Sequence, residues 1–244
     1  VASSAIAGGR VDHQAAFLLH RVPYRETSLV VDLFTRDHGR VAAVAKGARR
    51  PHSALRGVLL QFQPLAVGWT GRQELRTLTA AHWVGGLASP QGDALLCAFY
   101  LNELLMRLLP REDPHPQLYD AYQRALGELA GGEGLDECLR RFEWVLLREA
   151  GYAPDLARDA DHRPIQAGIA YRWRPDEGFV AGEPGSPDDA ALVHGETLLG
   201  LAGGGLGTQR LRQQAKYLTR VILAHHLDGA VLNTRQILID LHKL

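Results

Sequence analysis

Five runs of strand-like residues follow one another between residues 16 and 84, with only short breaks between them. They are residues 15–22 (AAFLLHRV), 28–35 (SLVVDLFT), 40–46 (RVAAVAK), 59–69 and 74–83. All are rich in β-branched, aromatic or small apolar side chains. The breaks hold residues that end strands: Pro23 to Thr27, Arg36 to Arg40, Gly47 to Ser53, and Thr70 to Gln73. Gly39 stands where the second turn needs a positive φ. Five short strands in so short a segment leave costly edges unless the sheet closes, and a small closed barrel of the OB type fits that count.

The period changes after Gly85-Gly86. Apolar residues recur at helical spacing over 93–109, ending at Pro110, and again over 116–130 and 135–150. Helices are expected to resume near 188–202, where Asp188-Asp189 reads as a helix start, then over 208–227 and 233–243. Residues 151–187 are rich in Pro and Gly, with a hairpin expected around Ile169–Ala181. The expected class is α+β with two domains: an N-terminal five-stranded OB-fold β-barrel at 15–85, then an α-helical domain at 86–244 carrying the 151–187 insertion. Residues 1–14, opening with the small uncharged VASSAIAGG, read as a disordered lead-in.

Formal net charge is zero over 244 residues, but the charge is unevenly spread. Residues 10–76 hold 11 Lys+Arg and 5 Asp+Glu, a surplus of 11 − 5 = +6 that the remainder offsets with −6. Arg, which dominates this surplus, suits bidentate contact with phosphate. Arg40, Lys46, Arg49, Arg50 and Arg56 gather near the third strand's exit, and Arg72 and Arg76 flank a later turn. Together they form an expected phosphate-binding rim. Of the aromatics that could stack on bases, Phe17 and Phe34 lie in apolar runs and read as core, whereas Tyr24 beside Pro23 is the better candidate.

Other chemistry is absent from the sequence. There is no Gly-x-Ser-x-Gly, no His-Glu-x-x-His, and Gly203-Gly204-Gly205 lacks the Gly-Lys-Ser/Thr ending of a P-loop. His225 and His226 are neighbours expected to point apart on a helix. A hydrolase or nuclease would need a metal or carboxylate site that the sequence does not display. The two cysteines, Cys97 and Cys138, lie on apolar helical faces and read as reduced thiols of a cytoplasmic protein. No apolar run approaches the ~18 residues of a membrane span, so no membrane partner is expected.

Many spaced residues, in order, resemble the bacterial RecO recombination-mediator family. They are Arg21, Pro23, Glu26 and Ser28, then Phe34, Thr35, Gly39, Arg40, Val41, Ala45, Lys46, Gly47, Ala48 and Arg49. Residues 139–143 with Gly151 and Tyr152, and Ala215, Lys216, Thr219 and Arg220, continue the match. The resemblance implies an OB-fold, a helical domain and no enzymatic turnover. It implies binding of single- and double-stranded DNA, strand annealing and help in loading RecA. It also implies engagement of RecR and of the acidic, Phe-terminated tail of the single-stranded-DNA-binding protein, in the cytoplasm at the nucleoid.

One departure concerns zinc. Many family members carry a four-cysteine module where this chain has no cysteine at all. A structural zinc site needs about four converging ligands, and Asp159, Asp161 and His162 are too close in sequence to supply them. The chain resembles the zinc-free branch, and no cofactor is expected.

A second face carries the expected tail site. Arg141, Trp144 and Arg148 share one side of the 135–150 helix, with Arg140 one turn before Trp144. Arg212, Lys216 and Arg220 recur every four residues on the later helix. Such basic groups suit an acidic peptide with an apolar end. Intrahelical pairing, such as Glu137 with Arg141 or Arg140 against Trp144, is the competing reading. At the level of the whole chain, the alternative to a DNA mediator is a protein-docking adaptor with incidental DNA contact.

Overall fold

The computed structural model describes residues 9–132, 134–182, 191–203, 205–227, 229–230, 232–234 and 236. Two compact units emerge. One holds the described residues up to 132 together with 233, 234 and 236, and the other holds those from 134 to 232. The helices expected over 93–130 thus cluster with the strands, whereas the later ones form their own unit.

The first unit is built on five strands: β1 (Arg10–Tyr24), β2 (Ser28–Thr35), β3 (Gly39–Ala45), β4 (Pro64–Thr70) and β5 (Leu75–Trp83). They close into a barrel in the order β1-β2-β3-β5-β4, with β3 and β5 parallel and every other pair antiparallel. This is the barrel expected of the sequence. β1 pairs with both neighbours and bends at two register shifts, between Val11 and Gln14 and between Leu18 and His20. Residues 10–14 therefore belong to a strand and not to a disordered lead-in; strand pattern does not reveal them because all but Val11 are polar and all are at least partly exposed. Residues 1–8 lie outside the described residues.

The fourth strand begins at Pro64, not near 59. Ahead of it runs a short helix, α1 (Ala54–Val58). Leu59 and Phe62 are buried, but as apolar residues of a connection, which a strand pattern cannot distinguish from strand. Alternate side chains fill the barrel: Ala16, Leu18, Val31, Leu33, Val41, Ala43, Leu65, Val67, Trp69 and Leu78 among them.

Part of the outer surface is sealed by α2 (Gly92–Leu108) and α3 (Pro116–Gly131). Phe17 and Phe34 point outward, fully buried against Tyr119 and Tyr122 of α3 at centroid distances of 5.1–6.1 Å. Asn102 of α2 donates to the Leu19 carbonyl and accepts from the Tyr122 hydroxyl, so the buried polar groups are satisfied. Gly39, with φ +64°, lies so close to the Asp113 backbone that a Cβ would collide with its carbonyl oxygen. The glycine is needed for both reasons.

The second unit comprises α4 (Leu135–Glu149), a sheet of β6 (Ala170–Arg174), β7 (Gly178–Ala181) and β8 (Val193–His194), and the helices α5 (Gly195–Gly203) and α6 (Gln209–His226). The sheet order is β7-β6-β8, which includes the expected hairpin. The helix after the insertion starts at Gly195, following β8. Asp188-Asp189, residues 183–187 of the insertion and most of the expected 233–243 helix fall outside the described residues. His225 and His226 do not point apart. Their rings lie 4.9 Å apart in an edge contact, with His226 stacked on Tyr152 at 4.2 Å and His225 edge-on to Trp173. The ring packing of Tyr152 and Trp173 draws both imidazoles round at the end of α6.

Candidate nucleic-acid interface

β2 begins beside the end of β3, Leu29 opposite Ala45. This brings the β1–β2 turn at 25–27 against the segment that leaves β3. The Arg49 N–H donates to the Thr27 carbonyl at 2.9 Å, and its guanidinium reaches the Glu26 carbonyl at 3.3 Å. The Gly47 N–H donates to the Ser28 hydroxyl at 3.4 Å, and the Arg50 N–H returns to the Gly47 carbonyl at 3.0 Å. One end of the barrel thus holds Tyr24, Arg25, Lys46, Arg49 and Arg50 on a hydrogen-bonded frame. Arg56 follows on α1, also exposed.

The charge at this end has little to neutralise it. Residues 21–30 and 45–60 contain a single carboxylate, Glu26. Among the described residues, Lys46, Arg50 and Arg56 have no carboxylate within ion-pair distance. Cations so exposed and unmatched are held ready for an external anion. Arg25 belongs with them although the sequence did not single it out. Its guanidinium carbon lies 5.2 Å from the Tyr24 ring centroid, a cation–π contact at the rim. The signal available was its place beside Tyr24 in the turn, which alone reads as ordinary loop charge.

Other expected rim residues lie elsewhere. Arg40 is 6% exposed and does not belong to the rim. Its guanidinium faces Asp32 at 3.4 Å and donates to the carbonyls of Met106 and Leu109 at 2.5 and 2.7 Å, closing the C-terminal end of α2. Arg111 joins the same Asp32 at 3.1 Å. Arg76 is also occupied, bonded to the Gly71 carbonyl and to Glu112 at 2.6 Å each. It pairs with Ala43, three residues before Lys46, or about 10 Å along the strand at ~3.3 Å per residue. Arg72 is exposed but sits beside Gly9, near the start of β1. Neither Arg72 nor Arg76 extends the basic end.

The aromatics sort in the same way. Phe17 and Phe34 are core, Trp69 fills the barrel, and Phe62 packs edge-on against Phe99. Tyr24 remains half-buried at the rim. Trp83 is 63% exposed, with its indole N–H on the Gln63 side-chain oxygen.

In the second unit, α4 and α6 run in the same direction. Asp136 meets Lys216 at 2.8 Å, Arg140 meets Thr219 at 3.2 Å, and Tyr152, just past α4, meets His226. Arg140 is 4% exposed and paired with the buried Glu143 at 2.6 Å, so it holds the helices together and presents nothing to a ligand. Lys216 is taken by Asp136, whose carboxyl its hydrogen bond draws below the usual range. Arg141 pairs with Glu137, Arg148 approaches Glu149, and Arg212 donates to the carbonyls of Leu206 and Gly207. Trp144 is half-buried and Arg220 exposed.

No group of three or more His, Cys, Asp or Glu able to hold a metal occurs among the described residues. In the cysteine-free segment, the Asp159 carboxylate accepts from the backbone N–H groups of Asp161 and Arg163, so it shapes a turn. No helix among the described residues is long and apolar enough to cross a membrane.

Known proteins resemble this chain along its length. Residues 11–87 match the family described as Recombination protein O N terminal, and residues 89–236 match Recombination protein O C terminal. A DNA repair protein RecO from Ralstonia nicotianae is 50% identical over 241 residues, covering 99% of this chain and 89% of that protein. The protein of that name from Burkholderia pseudomallei is 51% identical over 96% of this chain and 86% of its own. The one from Polynucleobacter asymbioticus is 47% identical over 98% of this chain and all of its own length.

Proposed function

The chain belongs to the recombination protein O (RecO) family, and from that premise we propose that it is a non-catalytic recombination mediator in DNA repair. It binds single- and double-stranded DNA, brings complementary strands together, and helps load RecA on DNA coated by the single-stranded-DNA-binding protein. RecR and the acidic tail of that coating protein are its protein partners, in the bacterial cytoplasm at the nucleoid. The barrel at 15–85 is the DNA-binding domain, through Lys46, Arg49, Arg50, Arg56, Arg25 and Tyr24.

The observation that carries this reading is the hydrogen-bonded end of the barrel, where five exposed cations surround one carboxylate. Such a surface releases counterions from phosphates without reading bases, which is what annealing of arbitrary sequences requires. The tail site is Trp144 with Arg141, Arg148 and Arg220. The Arg141–Glu137 pair does not block it, because exposed ion pairs contribute only ~0–1 kcal/mol and exchange readily.

Annealing of two complementary oligonucleotides, bare and coated with the single-stranded-DNA-binding protein, tests the reading. The chain should accelerate both without nucleotide or metal, and Trp144→Ala should lose only the acceleration on coated strands. No acceleration on bare strands by the folded protein would overturn the mediator assignment. Equal loss on both would overturn the tail site.

A further inference from the structure

Few aromatic rings on this barrel are open to unpaired bases. Tyr24 stands alone at the edge, and the other rings are buried or remote. The strand register supplies another surface. Leu29, Val31 and Leu33 point into the barrel, as do Val41, Ala43 and Ala45. Val30 and Val44 therefore point out. Val22 lies opposite Val30, and Val30 opposite Val44, so the three form one row across the outer face of β1, β2 and β3. Thr77 of β5 continues it beside Val44.

This row is open. Val22 is 42% exposed, and Val30, Val44 and Thr77 are half-exposed. In the next row down Asp32 and Ala42 are already buried, with His20 exposed at its β1 end, and below it Phe17 and Phe34 are sealed under α3. Above the row stand Tyr24 and the cations of the basic end, with Lys46 two residues beyond Val44. An apolar strip of aliphatic side chains therefore adjoins the unmatched positive charge. Across three strands at ~4.8 Å spacing it is only about 10 Å wide.

The geometry points to the Val22–Val30–Val44 row as a floor for unpaired bases, held there while Lys46, Arg49 and Arg50 engage the phosphates of the same strand. The occupant is a single strand and not a protein segment because the flanking charge is positive and dense, which complements a polyanion. A duplex keeps its bases stacked inside and offers the row nothing apolar. The strip thus gives the barrel a preference for single strands that charge alone does not provide. The inference rests on the proposal that the barrel binds DNA.

Salt separates the two contributions. Phosphate contacts weaken steeply as salt rises, with a slope in log K of about −0.7 per contact on single strands. Apolar burial is not screened. The test compares full-length wild type with Val30→Thr/Val44→Thr, which keeps β-branched side chains suited to strands. Binding of oligothymidine and of a mixed-sequence duplex of equal length is followed from low to high salt. The variant should lose single-strand affinity by an amount on the order of tenfold at every salt concentration, with an unchanged slope and unchanged duplex affinity. Val44→Phe should raise single-strand affinity. A variant that leaves single-strand affinity intact, or that weakens single strand and duplex alike, overturns the inference. Loss of salt-dependent binding on charge reversal at the basic end is read separately, and its absence would overturn the DNA reading itself.

Discussion

Arg40 and Arg49 are nine residues apart and carry the same side chain, yet they do different work. Arg49 faces solvent at the barrel's end, whereas Arg40 is buried against Asp32 and the last carbonyls of α2. Nothing in the local sequence separates them, because the difference is made by α2, more than fifty residues further on. Arg140 and Arg141 repeat the lesson side by side, one buried on Glu143 and the other exposed on Glu137. Helical spacing did place Arg141 beside Glu137, since that pairing is local. Replacing Arg40 with Met would leave Asp32 short of a buried cation and the α2 carbonyls without their donor. We predict a loss of about 3–5 kcal/mol in unfolding free energy, measured by denaturant titration, with unchanged DNA affinity of the folded fraction. A variant of normal stability with weakened DNA binding would return Arg40 to the rim.

At the scale of elements, what was legible followed from local period. β2 and the hairpin of β6 and β7 fall where alternation and turn residues put them, and α2, α3, α4 and α6 lie within a residue or two of their apolar stripes. The failures came where partners are distant. The polar start of β1 is a strand because β4 pairs with it, and Leu59, Phe62 and Gln63 are buried without being strand. Glu103 shows how a distant partner also sets chemistry. Burial raises its carboxyl pKa, but the N–H groups of Thr234 and Asn233, the Thr234 hydroxyl and Arg107 outweigh it, leaving the group below its ordinary 4.5. A carboxyl depressed in the folded state contributes stability above its unfolded value and loses it as pH falls through the folded one. Glu103→Gln should therefore be less stable than wild type near neutrality, with the gap closing in thermal melts as pH falls below 4.5 and through the depressed folded-state value. A gap that widened in acid would contradict this account of the group.

For the whole molecule, neutrality conceals a division of labour. The surplus of +6 in residues 10–76 was visible by counting, but the count included Arg36, Arg40 and Arg76, which are engaged by Asp120, Asp32 and Glu112. Apart from Arg72 beside Gly9, what remains unmatched gathers at one end of the barrel, and the apolar row beside it appears only once the register is known. The central claim is that this end engages phosphates. Its most direct test is the salt dependence of single-stranded oligonucleotide binding by wild type and by Lys46→Glu/Arg49→Glu. The account predicts weaker binding by the variant and a log–log salt slope shallower by roughly 1–2, at about 0.7 per lost phosphate contact, with an unchanged melting temperature. An unchanged affinity and slope in the folded variant would contradict it.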